Sequence, residues 1–300
     1  MQASCVTEIK LPSNYHTNDF LAFHQRDEMG VSEVVQQNQI KKGVIWHEKP
    51  ALLTITIKNN IAQIQLDIDG DNSLSSHDEL SIQASHMLGL KQPIEKFESL
   101  YQGHPVIGKL ITRQAGLRIY QSATPFEALS WAIIGQQISV SAAISIRRRF
   151  IQAIGVQHSS GLLCHPDYKQ VMQCSEQELR QCGFSIGKAN ALLNISRLID
   201  SGEIELVIPE RENGAQQLTD NLLAIKGVGM WTINYTLLRG FNYLNGSLHG
   251  DVAVRRNLQY LLRQEEKVTA EQAEKWLADF TPWKALVGAH LWRQQSSSGY

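Results

Sequence analysis

Between residues 51 and 66 the chain reads ALLTITIKNNIAQIQL, where Leu53, Ile55 and Ile57 alternate with Leu52, Thr54 and Thr56, and Ile64 and Leu66 with Gln63 and Gln65. Strand side chains point to opposite faces in turn, so this pattern, broken by Asn59-Asn60, predicts a β-hairpin with one buried face. Gly43 to Trp46 offers a neighbouring strand. Residues 67–76, DIDGDNSLSS, read as a polar loop. Leu80, Ile82, His86, Met87 and Leu90 then fit a helix whose far end Pro93 limits.

From about residue 100 the alternation stops and helix punctuation takes over. Thr124-Pro125-Phe126-Glu127 is a capping box with proline at the first helical position, Ser175 with Glu178 and Thr269 with Gln272 repeat the box, and Thr281-Pro282 gives a further start. Gly183 and Gly202 mark stops. Helices are expected over 125–134, 139–154, 176–182, 186–200, 220–226, 230–240, 251–263, 270–280 and 282–293. The fold class that follows is an α+β N-terminal domain, residues 1–112, ahead of an all-α domain, residues 113–300. The end, QQSSSGY, reads as a flexible tail.

Composition narrows the functional classes. Three hundred residues with 43% apolar and 19% charged positions describe a globular chain and exclude disorder, collagen and coiled coil. No run of eighteen apolar residues occurs, and MQASCVTEIK lacks the order of a signal peptide, so a cytoplasmic, nucleoid-associated location away from membranes is expected. Cys5, Cys164, Cys174 and Cys182 have no metal-site spacing, so neither zinc nor an iron-sulfur cluster is expected. The net charge of -1 hides an asymmetry: residues 1–110 carry 9 Lys+Arg against 13 Asp+Glu, and residues 111–300 carry 19 against 16. That excess is too small to announce nucleic-acid binding and does not forbid it.

Candidate chemistry centres on LLAIKGVGMWT, residues 222–232. Gly227 and Gly229 permit a tight turn between two helices and leave free N–H groups at the start of the second, which suits a phosphate; the same residues also suit a plain interhelical turn. A dinucleotide fingerprint fails, because Thr232 stands where the third glycine belongs and no strand precedes. Trp231 and Tyr235 lie four apart on one helix face, as a core stripe or as a stacked ligand wall. Asp251 heads a clear helix, and on that ground alone is an N-cap.

Together these residues resemble a known family. IKGVGMW, with Asp251 twenty residues after Trp231, is similar to the helix-hairpin-helix superfamily of DNA base-excision glycosylases. PFEALSWAIIGQQIS at 125–139 and CGFSIGKANALL at 182–193 resemble two further segments of it. PWKALVGAHLW at 282–292 resembles the C-terminal helix of its DNA-3-methyladenine glycosylase II branch, whose N-terminal α+β unit also has its counterpart here.

The resemblance implies a monomeric, monofunctional enzyme that hydrolyses the N-glycosidic bond of alkylated purines in double-stranded DNA. Asp251 then takes the catalytic place, Gly227, Val228 and Gly229 contact a DNA phosphate, and Trp231, Tyr235 and Trp292 line the base pocket in a cleft opposite Asp251. Trp231 stands where strand-cleaving members carry a lysine. Gln137 falls at the place of the side chain that props the gap left by an everted base, although a polar residue departs from the usual apolar one. Gln136 and Gln137 equally suit a loop bonded to its own backbone. Arg147-Arg148-Arg149 and Arg255-Arg256 read as solvated helix faces or phosphate contacts, and His249, with no partner at metal spacing, as structural or DNA-facing. A glycosylase for another base and a non-catalytic DNA-binding module remain the alternatives.

Overall fold

The alternation over residues 51–66 becomes the centre of a five-stranded antiparallel sheet in the computed structural model, which describes residues 4–70, 76–208 and 214–293. The N-terminal unit contains β1 (Ser4–Lys10), α1 (Thr17–His24), β2 (Glu33–Gln36), β3 (Gln39–Trp46), β4 (Lys49–Lys58), β5 (Ile61–Ile68) and α2 (His77–Met87), with sheet order β1-β5-β4-β3-β2. Asn59 and Asn60 take φ of 53° and 58°, the positive values of a type I′ turn, whose twist suits a hairpin. The register pairs Leu53 with Leu66 and Ile55 with Ile64, so the apolar positions of both strands share the buried face.

β1, α1 and β2 were not legible in the pattern, because each is short and β1 has only one consistently covered face. The helix after the polar loop ends at Met87, ahead of the expected limit, and Pro93 opens the next helix instead. Within that loop, residues 71–75 lie outside the described residues, as do residues 294–300 of the expected tail.

Helices α3 (Ile94–Tyr101) and α4 (Gly108–Arg113) lead into α5 (Pro125–Gly135), α6 (Val140–Ile154), α7 (Tyr168–Met172), α8 (Glu176–Gln181), α9 (Ile186–Asp200), α10 (Gly214–Leu223), α11 (Met230–Phe241), α12 (Val252–Leu262), α13 (Ala270–Ala278) and α14 (Lys284–Arg293). The α+β unit followed by a helical core is thus the architecture of the chain. Both capping boxes at Ser175 and Thr269 form completely. At Thr124 only the hydroxyl half forms: the Glu127 carboxylate reaches back to Ala123 N–H and otherwise turns inward. Helix α14 begins at Lys284, two residues after Pro282, and α10 ends at Leu223 where Ile225 N–H and Val228 N–H turn to carbonyls three residues back. Buried apolar residues form three clusters: the sheet with α1 and α2, helices α5 to α11, and α3 and α4 with α11 to α14. Residue 112 falls inside the third, which takes Ile94 and Phe97 as well as Leu286 and Trp292.

Contacts on several sides fasten the units together, among them Asp19 with Arg293 and Glu48 with Lys169. Leu163 passes so close over the sheet that a Cβ on Gly43 would lie 2.5 Å from its carbonyl oxygen. Beside it sits a buried ionic cluster: Lys42 Nζ is 2.7 Å from Glu33 Oε1 and 2.7 Å from Glu127 Oε1, and Arg147 Nη2 lies 2.5 Å and 3.0 Å from the same two atoms. His24 Nδ1 meets Glu33 Oε2 at 2.9 Å. Burial opposes ionisation of Glu127, but the charges around it, Lys42 first, outweigh burial and hold its carboxyl at about 2. Of the RRR run, Arg147 therefore turns inward, half-buried Arg148 pairs with Asp27, and Arg149 stays exposed while bonding Cys182 O and Ser145 Oγ.

Acid should loosen this structure in two stages. Burial pushes His165 down to about 4. An unfolded histidine takes its proton near about 6.5, so stability falls as pH drops from there towards 4. Glu127 contributes stability above the ordinary carboxylate value of about 4.3 that is lost as pH falls towards 2. Thermal melts should therefore give a Tm that declines from about pH 6.5 downward. Lys42→Met, which strips a counter-charge from two buried carboxylates, should cost about 3 kcal/mol in denaturant unfolding and raise the pH of the second stage. A Tm flat between pH 7 and 3 would contradict this account.

Candidate active site

Helix α11 runs antiparallel to α5. A Cβ on Gly240 would lie 3.0 Å from Pro125 Cα, and at the other end one on Gly135 would lie 3.9 Å from the Trp231 ring. The α10–α11 turn that starts this helix depends on Gly227, whose φ of 94° and approach to Ala191 on α9 both exclude a side chain. Val228 buries its side chain in the core, which leaves backbone at the surface, and Gly227, Gly229 and Met230 are exposed. Gly229 is the N-cap of α11, and no side chain caps that helix. Its first-turn N–H groups are therefore directed outward for a ligand.

Asp251 is the point where three helices meet. It is the N-cap of α12, with Oδ1 accepting from Ala253 N at 2.8 Å and Val254 N at 3.0 Å. Trp231 Nε1 on α11 donates to Oδ2 at 2.9 Å, and Trp292 Nε1 on α14 donates to Oδ1 at 3.1 Å. The connecting loop is fixed by Asn234 Nδ2 donating to Ser247 O and Ala285 N to Leu244 O, while Asn257 Nδ2 ties α12 to Leu291 O on α14. Cap and functional candidate are thus one carboxylate. Its Oδ2 takes a single donor and the residue is only half-buried, so one oxygen edge remains for an incoming group.

All the aromatic candidates gather here. Trp231 and Tyr235 lie 5.5 Å apart at 31°, and Tyr235 and Trp292 6.3 Å apart at 51°. Where the cleft between Trp231 and Asp251 is expected, the edge of the indole bonds the carboxylate directly through its N–H. A small pocket of about 40 Å³ is lined by Phe23, Arg26, Trp131, Ile144 and the buried ionic cluster. Trp131 precedes Gly135 by one turn of α5, which puts the cavity wall on the helix face that meets Trp231. From the other side, Arg239 follows Tyr235 by one turn and sits 4.7 Å from the Phe23 ring centroid.

Arg26 was missed by sequence reasoning, since LAFHQRDE carries no motif. Its guanidinium lies 4.1 Å from the Phe23 centroid and 5.4 Å from that of Trp131, and its Nη2 is buried with no hydrogen-bond partner. Neighbouring Asp27 is already engaged by Arg148.

The remaining candidates divide. Gln137 is exposed, with φ of 56°, in the turn after α5. Gln136 does not bond its own loop: its Nε2 donates to Gly227 O at 3.0 Å and Thr232 Oγ1 at 2.8 Å. His249 bonds Ser247 Oγ at 3.0 Å, and Arg256 is exposed while Arg255 is half-buried. Among the described residues no cluster of histidine, cysteine and carboxylate side chains could hold a metal, and no helix is long and apolar enough to cross a membrane.

Comparison with known proteins follows the same outline. The pattern of the family described as HhH-GPD superfamily base excision DNA repair protein matches residues 130–282. A DNA-3-methyladenine glycosylase of Bacillus subtilis is 23% identical over 295 residues, 96% of each chain. Among solved structures, a 3-methyladenine DNA-glycosylase from Archaeoglobus fulgidus superposes with a TM-score of 0.81 at 20% identity, covering 98% of this chain and 100% of its own. An 8-oxoguanine glycosylase/lyase of Clostridium acetobutylicum in complex with double-stranded DNA gives 0.72 at 16% identity, with 97% of both chains covered.

The indole bonds to Asp251 have a measurable cost of removal. Trp231→Phe keeps a ring but deletes one N–H to a carboxylate, and should lower the unfolding free energy by about 1.5 kcal/mol. Unchanged stability in a urea titration would show that this bond contributes nothing.

Proposed function

The chain belongs to the HhH-GPD superfamily of base excision DNA repair proteins, and from that premise we propose that it is a monofunctional DNA glycosylase that releases alkylated purines from duplex DNA. The observation that carries the reading is the Asp251 carboxylate, oriented by two indole N–H groups and a helix N-terminus with one oxygen edge unspent. DNA enters on the α10–α11 turn, where exposed backbone at Gly227, Val228 and Gly229 meets a phosphate. The damaged nucleotide turns out of the stack and brings its sugar to Asp251 and its base to the aromatic wall of Trp231, Tyr235 and Trp292.

A purine alkylated on a ring nitrogen carries positive charge. Aromatic faces attract it by about 0.5–2 kcal/mol per contact, and the charge makes the base a good leaving group. As the bond from C1′ to the base lengthens, the sugar gains oxocarbenium character, which an oriented carboxylate stabilises. Water then attacks C1′, yielding the free base and an abasic site. Orientation matters because a carboxylate already fixed by its own donors needs little rearrangement as charge develops. Trp231 in place of a lysine supports hydrolysis without strand cleavage, since no amine stands there to form a Schiff base.

A second reading has its own support. Arg26, unpaired at Nη2 beside Trp131 and Phe23, presents positive charge and a hydrogen-bond donor, which favours a neutral base with an acceptor edge over a cationic one. Competition between N3- or N7-methylpurines and a neutral oxidised or deaminated purine in the same duplex decides between the two.

Asp251→Asn should lower base release from methylated duplex DNA by about 100-fold or more while binding to abasic-site DNA stays within about 3-fold. Release at the wild-type rate would take Asp251 out of the chemistry. No base release by the wild-type protein from any damaged duplex would favour a DNA-binding module.

A further inference from the structure

Lys188 and Gln136 form a brace that the chemistry at Asp251 does not explain. Lys188, on the first turn of α9, sends its ammonium to two backbone carbonyls at the end of α5: Ile134 O at 2.8 Å and Gln136 O at 2.7 Å. Gln136 spends its side chain on the α10–α11 turn, donating to Gly227 O and to Thr232 Oγ1. Gly227 itself packs on α9, where a Cβ would lie 3.2 Å from Ala191 Cβ and 3.6 Å from Gly187 O. Three segments distant in sequence, at 134–138, 187–191 and 227–232, are therefore closed into one polar joint.

At the tip of the joint stands Gln137. Gln136 has φ of -55° and ψ of 123° and Gln137 has φ of 56°, the opening angles of a type II turn, whose third position ordinarily takes glycine or asparagine. Glutamine there is held against its backbone preference by about 1 kcal/mol or more, which the surrounding bonds must offset. Neighbouring Ile138 is 38% exposed, so the tip offers an apolar as well as a polar side chain. Burial lowers the Lys188 ammonium from its ordinary range, consistent with a lysine committed to protein carbonyls and not to solvent.

We propose that Lys188 and Gln136 are positioning residues that lock the Gln137–Ile138 tip to the phosphate-binding turn, so that gripping the DNA backbone and propping the gap left by the everted nucleotide are one rigid action. This rests on the proposed DNA-repair reading of the site, but not on which base is released. A loose tip would still reach the duplex, yet would lose the insertion geometry; a displacement of about 1 Å at such a point can cost as much as 100-fold in rate.

The test uses a duplex with a tetrahydrofuran abasic site and 2-aminopurine beside it, whose fluorescence rises when the tip unstacks it. Lys188→Met should keep its affinity within about 3-fold and lose at least half of the fluorescence gain, with base release from paired lesions falling about 10-fold and release from an unpaired, bulged lesion nearly unchanged. Gln136→Met should do the same from the other side of the joint, and Lys188→Arg, which keeps a donor, should restore most of the gain. The inference is overturned by a full fluorescence gain in both Met variants, by equal loss on paired and bulged lesions, or by no gain with the wild-type protein. A weaker affinity for undamaged duplex with a smaller salt dependence in Lys188→Met would make Lys188 a phosphate ligand and overturn it too. Unstacking by the wild type without release of methylated bases would instead count against the alkylpurine reading alone.

Discussion

One carboxylate organises the candidate site of this molecule. Asp251 must serve as the cap of α12 and, at the same time, receive indole N–H groups from α11 and α14. An anionic acceptor forms stronger hydrogen bonds than a neutral one, so it can draw three separate helices to a common point without burying itself fully. Each donor uses a lone-pair direction, and together they leave a defined edge of Oδ2. The proposed chemistry depends on where negative charge sits relative to a sugar, and the bonds to Asp251 give the fixed orientation that it requires.

The rest of the structure keeps that point in place and in reach. Close glycine contacts let α11 lie along α5, and the turn that starts α11 is seated on α9 through Gly227. The N-terminal sheet supports α5 from behind through Glu33, Lys42, Glu127 and Arg147, four buried charges in mutual contact. Such a cluster adds little net stability compared with apolar packing, but separating its members would strand charges in a dry interior. It therefore resists relative movement of the two units. The α+β unit also contributes Phe23 and Arg26 to the pocket beside Trp131.

Much of this was legible in the chain. The hairpin over 51–66, the capping boxes at Ser175 and Thr269 and the stops at Gly183 and Gly202 all rest on local chemistry, which reads the same in any fold. Asp251, Trp231, Tyr235 and Trp292 were nameable for a different reason: their spacing resembles a family, and the structure does bring them together. Short elements such as β1, α1 and α4 escaped: α1 and α4 make at most about two helical turns, and Cys5 is the one buried residue of β1. Of the arginine run at 147–149, the inward turn of Arg147 was not legible, since neighbouring arginines on a helix look alike until partners from elsewhere in the chain are known.

By itself, then, the sequence determined the type of each long element, the turns between them and the residues able to carry charge or stacking at the site, all of which depend on neighbours within a few positions. Tertiary structure alone decided that the Trp231 indole bonds Asp251 directly, that Arg26 lines a pocket beside Trp131, and that Lys188 reaches the end of α5. The physical reason is range. A hydrogen bond or ion pair between residues 20 to over 100 positions apart leaves no periodic trace along the chain, and its partners are chosen only when packed helices bring them within about 3 Å.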